Sequence, residues 1–221
     1  MVRKNKGGAI KNLAPAFPEY SKRELNTNVR KKQNCCNYFW DSWEYIKESK
    51  NYIYSVSIIF LFFGVVGFIF PNFFIEQIKS LIKQLLEQTG GLDTSSLMEF
   101  IFFNNLKASF FGLFLGIILG VIPVILIVVN GYVLGFVSNY AVKEAGFSSL
   151  FRLLPHGIFE IPAIMISVGL GVKLGMFIFS KRPDREFLRR AILSLKVFFF
   201  IIIPLLIIAA FIEGCLIGLL K

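Results

Sequence analysis

His156 and Glu160 are the residues of this sequence whose types and spacing could do chemistry. His156 is the only histidine of the chain, and Glu160, four residues on, falls on the same face of a helix. Both stand in the otherwise apolar run Pro155-His156-Gly157-Ile158-Phe159-Glu160-Ile161-Pro162-Ala163. Ionisable groups in such a run are costly, so they pair with one another or face a cavity. The pair can be read as a local hydrogen bond that fixes the helix entrance between its two prolines. It can equally be a proton relay, half of a metal site or the lining of a polar pathway. Asn104, Asn105 and Lys107 at the start of one apolar segment, and Glu213 late in another, are further polar groups that could converge on it. One histidine and two carboxylates could hold a metal, since catalytic zinc takes three protein ligands of these types. Nothing in the spacing demands a metal, and no other cofactor is implied. H-E-x-x-H, G-x-S-x-G and a phosphate-binding glycine loop are absent.

The elements that must position these groups are membrane spans. Of 221 residues, 55% are hydrophobic and 16% aromatic, and the mean hydropathy is +0.66. Charged residues make up 17%, against about 25% in a soluble domain. Long uncharged runs of this kind match helices of about 20 residues crossing hydrocarbon about 30 Å thick. The expected fold is all-α: a polytopic transmembrane bundle of about five spans plus an interfacial amphipathic helix. Spans are expected at 52–70, 102–129 (kinked near Pro123), 132–142, 155–179 and 191–220 (kinked near Pro204). The turn between the second and third is placed at Asn130-Gly131, a turn-type pair. Proline at 155 fits a first helical turn. Residues 73–88 alternate apolar and charged faces at helical spacing, as a helix lying on the membrane does. Ser96 and Glu99 form a capping box that starts the next helix near Leu97.

Two regions follow: a basic cytoplasmic part at 1–50, partly disordered, and a transmembrane part at 51–221. Just before the first span, Tyr38, Phe39, Trp40, Trp43 and Tyr45 read as an interfacial anchor. The formal net charge is +10, with the basic residues flanking apolar segments. That is the positive-inside pattern, with attraction to anionic headgroups as a secondary role, and not a nucleic-acid surface. The loop 181–190 is basic and 71–107 slightly acidic, so five crossings put the N-terminus in the cytoplasm and the C-terminus outside, in the cell membrane. Lys173 and Lys196 are expected to snorkel from span ends. Cys35, Cys36 and Cys215 give neither a disulfide framework nor zinc spacing. Gly112, Gly116 and Gly120 share one helix face, and the spacing recurs at Gly131/Gly135, Gly171/Gly175 and Gly214/Gly218. Such faces permit close helix packing within the chain, and their number makes a homodimer reasonable.

Asn104-Asn105, Asn130-Gly131, Gly135, Pro155-His156-Gly157 with Glu160, Pro162 and Ala163, and Gly169, Gly171 and Gly175 resemble the stage II sporulation protein M family of integral membrane proteins. The resemblance covers residues 103–175. It implies a membrane scaffold that recruits other proteins, cell-wall hydrolases in the namesake, and it makes His156 and Glu160 the functional pair. The expected role is therefore a non-enzymatic assembly component of the membrane, acting as a dimer or with other membrane proteins. The alternatives are a small-solute or ion transporter in which His156 and Glu160 titrate, and an intramembrane metalloenzyme.

Overall fold

A backbone in hydrocarbon has to satisfy its own polar groups, which leaves helices as the way to cross. A computed structural model of the chain describes residues 35–118 and 120–219, and for 35–37, 151–156 and 216–219 the backbone alone. The expectation of disorder at 1–34 lies outside the described residues. The helices are α1 (Cys35–Glu48), α2 (Lys50–Ile69), α3 (Ile75–Thr89), α4 (Thr94–Phe114), α5 (Val121–Ala145), α6 (Leu150–Gly175), α7 (Pro183–Val197) and α8 (Ile203–Leu219). No strand occurs among the described residues. Five stretches are long and apolar enough to cross a membrane: Lys50–Ile69, Thr94–Ile117, Val121–Ala145, Gly157–Phe179 and Pro183–Cys215. The last runs from α7 into α8 through a π-helical turn at Phe198–Ile202. Pro204 follows it at once, and the wider turn makes room for a ring that cannot sit over a normal i−4 carbonyl.

The second and third spans are corrected. The turn lies at Ile118 and Gly120, not at Asn130-Gly131. Gly120 takes a left-handed φ of +69°, and Pro123 falls in the first turn of α5, where its missing N–H costs nothing. The third span is therefore a full 25 residues long. Asn130 sits inside α5 and donates its side-chain amide to the Leu126 carbonyl at 2.8 Å. The capping box is also displaced. Asp93 is the N-cap of α4, accepting from the Ser95 hydroxyl and from the Ser96 backbone N–H. These bonds, that of Ser95 first, hold its carboxyl down to about 2. Helix α6 begins five residues earlier than expected, so Pro155 lies in its second turn.

Contacts between side chains give the direction of every span. Gly131 lies against the Phe60 backbone and Gly135 against Gly64, while the Asn139 amide reaches the Phe68 carbonyl at 2.8 Å. Partners rise together along both helices, so α2 and α5 are parallel. Likewise the Ser167 hydroxyl donates to the Ser109 carbonyl, and Gly116 lies against Gly171, so α4 and α6 are parallel. Partners run oppositely between α2 and α6, where Ile53 meets Gly169 and Ser49, just ahead of α2, meets Lys173. They do so again between α4 and the last span, where Phe110 meets Phe198 at 5.9 Å and Met98 meets Gly214. Spans one, three and five thus point one way, and two and four the other. The chain crosses five times, and the start of α2 shares one end of the bundle with the loop before α7.

Among the described residues, Gly112, Gly116, Gly120, Gly131, Gly135, Gly171 and Gly214 all pack inside this one chain. A Cβ on Gly116 would fall on the Gly171 backbone, and one on Gly135 on the Gly64 carbonyl. They are the seams of the bundle, and the dimer inferred from their number loses that support. Helix α3 packs along α5, with Ile78 buried against Tyr132 and Phe136 and Glu76, Lys79, Lys83 and Glu87 exposed. It is the expected amphipathic helix.

Candidate functional site

Glu160 is ten residues from Leu150 and ten from Leu170, so about 15 Å of helix separates it from either, and the stretch toward Leu170 is apolar but for Ser167. It is half-buried. From α4, Asn105 is buried at 8% exposure and its side chain hydrogen-bonds Glu160. From α8, Glu213 stands near enough for its charge to bear on Glu160. Three of the expected residues therefore meet, one from each of three spans, at mid-helix in a packed bundle. The group is an amide between two carboxylates, and like charges side by side disfavour each other unless a proton or cation joins them.

Other expected members go elsewhere. Asn104 is exposed, because neighbouring helical residues point about 100° apart and Asn105 already takes the inward direction. With Gln88, Ser96, Glu99 and Lys107, Asn104 lines a cleft of about 510 Å³ on the outward side of α4. Lys107 is exposed there. The backbone of His156 is one turn before Glu160, and its side chain lies outside the described ones. Among the described residues no three of His, Cys, Asp and Glu come together as a metal set. Gly131 serves the α2 seam, Gly157 meets only the Ile161 side chain, and Pro162 is exposed.

A second polar group was not foreseen. Lys173 does not snorkel; it is 4% exposed and pairs with Glu48 at 3.0 Å. Its ammonium also donates to Ser49 Oγ at 3.0 Å and lies 4.0 Å over the Tyr45 ring. Arg189 holds the same carboxylate at 2.7 Å, and Arg190 donates to the Lys173 carbonyl at 2.7 Å. Lys196 pairs with Asp41 at 3.0 Å instead of snorkelling. The Arg189 hydrogen bond, with those of Lys173 behind it, holds the Glu48 carboxyl below the usual range. Burial pushes Tyr45 up to about 12. Its hydroxyl is buried beside Ser194, and neither makes a well-formed hydrogen bond. The one signal in the sequence was a lysine inside an apolar run, and its acid lies 125 residues away.

Comparison with known proteins adds breadth to this picture. The family model described as stage II sporulation protein M matches residues 56–216, from the first turns of α2 through Glu213 on α8. The match takes in all five spans, beyond the 103–175 stretch in which the motif residues lie. No curated protein and no solved structure matches the chain significantly. A multi-pass integral membrane protein by its helices, the chain belongs to the stage II sporulation protein M family.

Proposed function

We propose that this protein is an assembly component of the membrane, engaging its partner through the outward polar face of α4. The observation that carries this reading is Lys107. It lies thirteen residues, about 20 Å of helix, past the first residue of its span, and it is exposed together with Asn104 and Glu99. A lysine and an asparagine facing lipid at that depth are costly; such groups face protein or water. A second copy of this chain is the simplest occupant, since an asparagine amide donates and accepts and so pairs with itself across a two-fold axis. A different helix offering a carboxylate near Lys107 is the other. The orientation that goes with this reading puts the basic end of the bundle in the cytoplasm.

A nitroxide on Phe103→Cys, on the same face, tests it in bilayers, with Cys35, Cys36 and Cys215 replaced by Ser. A label shielded from both oxygen and a water-soluble nickel chelate is the expected result. Spin–spin distances then separate a second copy from another partner. High oxygen collision, the signature of lipid contact, would sink the proposal.

A second reading, transport of a small solute or ion, is supported by the Glu160–Asn105–Glu213 group. Proteoliposome flux with a steep pH dependence, lost in Glu160→Gln and His156→Ala, is its expected signature. Nickel collision at position 103 without oxygen collision would favour a water-filled pathway over a partner.

A further inference from the structure

The basic end of the bundle carries a second exposed face that the assembly reading does not use. Helix α1 runs antiparallel to α7: Glu48 pairs with Arg189, Asp41 with Lys196, and Tyr38 stacks on Phe200 at 5.7 Å. These contacts set the level of each α1 residue. Residues 39–43 lie beside 196–200, where the fifth span changes from charged to wholly apolar sequence. At this boundary α1 turns Phe39, Trp40 and Trp43 away from the bundle, with exposures of 46%, 61% and 43%. One turn on, Lys47 lies over the Trp43 ring at 5.8 Å. Further toward water stand Lys50, Arg182 and Arg185, exposed and without an ion-pair partner among the described residues.

We infer that this end is a docking surface for anionic phospholipid: Trp40 and Trp43 seat α1 at headgroup depth, and Lys47, Lys50, Arg182 and Arg185 hold the lipid phosphates. Indole rings settle at the polar–apolar boundary, and basic side chains near an anionic leaflet are attracted by its negative surface potential. Glu48 is engaged by Lys173 and Arg189, Asp41 by Lys196 and Glu186 by Arg189 and Arg190. Exposed Glu44 and Asp184 stand among Lys47, Lys50, Lys181, Arg182 and Arg185, so the patch keeps an excess of positive charge that points to an anionic ligand from outside. Phosphate oxygens of a membrane surface supply the complementary charge at the right level. The ion pairs that fasten α1 to the bundle keep this surface rigid, so the lipids meet a preformed row of charges.

Trp40 and Trp43 are the only tryptophans in the chain, so indole fluorescence reports on this face alone. The full chain would be placed in phosphatidylcholine nanodiscs containing brominated phosphatidylglycerol or, at equal mole fraction, brominated phosphatidylcholine. Quenching by the glycerol lipid should correspond to about tenfold tighter association. That preference should fall toward unity in 0.5 M salt, where screening is short-ranged, and in the combined variant K47Q/K50Q/R182Q/R185Q. The salt series uses the unaltered protein, so it stands even where the variant folds poorly. Equal quenching by the two lipids overturns the inference, as does a preference that survives both salt and substitution. A fluorescence response to added RNA in discs that show no lipid preference overturns it in favour of nucleic acid.

Discussion

At the basic end, Glu48 lies between Lys173 and Arg189, and each of these three charges has an opposite within 3.0 Å. At mid-bundle, Glu160 has an amide on one side and another carboxylate on the other. The first arrangement is a clamp: desolvation is offset by complementary charge and hydrogen bonds, and α1 is fastened to α6 and α7. The second brings like groups together, an arrangement that by itself opposes folding. Polar groups kept against the interest of stability mark binding or transfer. The comparison teaches that charge inside a membrane protein is read by its partner's sign: paired opposites hold structure, and like charges brought together need another reason to be there.

The largest effect is expected where the two regions are kept in register, at the α4–α6 seam. In Gly116→Val the new side chain meets the Gly171 backbone, which cannot swing aside as a side chain would. Unfolding in mixed micelles should show a loss of about 3 kcal/mol, the upper range for overpacking. Stability near that of the unaltered chain would mean the two helices are not in contact and the comparison has no common frame.

The clamp comes next. Glu48→Ala strands the buried Lys173 ammonium, and about 1–2 kcal/mol should be lost. That is less than for a wholly buried pair, because Glu48 is 45% exposed at its side chain and water screens it. Lys173→Met removes the buried charge itself and should be close to neutral. Equal losses in the two would show that the pair, not the stranded charge, sets the energy.

Smaller still is the expected change at mid-bundle. Glu160→Gln keeps the shape and the bond to Asn105 while removing one of two like charges. Stability should hold or rise by up to about 1 kcal/mol, while any pH-dependent transport disappears. A loss as large as that of Glu48→Ala would erase the distinction between clamp and ligand site.

Much of this architecture was legible from run lengths. The apolar spans and the amphipathic α3 follow from how far apolar residues extend and at what period, and five crossings from those runs together with the charge bias of the loops. Pro204 marked an irregular fifth span, expected as a kink and found as a π-helical turn. The turn between spans two and three was misread because Asn130-Gly131 has turn chemistry. Inside α5 the asparagine satisfies itself on Leu126 and the glycine admits Phe60, both outcomes that depend on neighbours. Gly120 ahead of Pro123 carried the correct signal, a flexible residue followed by proline in a first turn. At the site, Asn104 and Asn105 looked equivalent; one residue of helical phase sends the second to Glu160 and the first outward with Lys107. The clamp was hidden because its charges come from α1, α6 and α7, and a sequence shows charge without showing who faces it.

The least of these effects concerns acidity, and it separates the two regions by direction. The Glu48 carboxyl is held below its ordinary value of 4.5, so folding favours its ionised form. Its contribution is complete above pH 4.5 and is lost as pH falls through the folded value. Acidification should therefore loosen α1 first, as Arg189 and Lys173 lose their acid, and Trp40 and Trp43 should report it as a fluorescence change while the spans stay helical by circular dichroism. The same titration in Glu48→Gln should be flat. A change of equal size in that variant would assign the acid response to another carboxylate and detach it from the clamp.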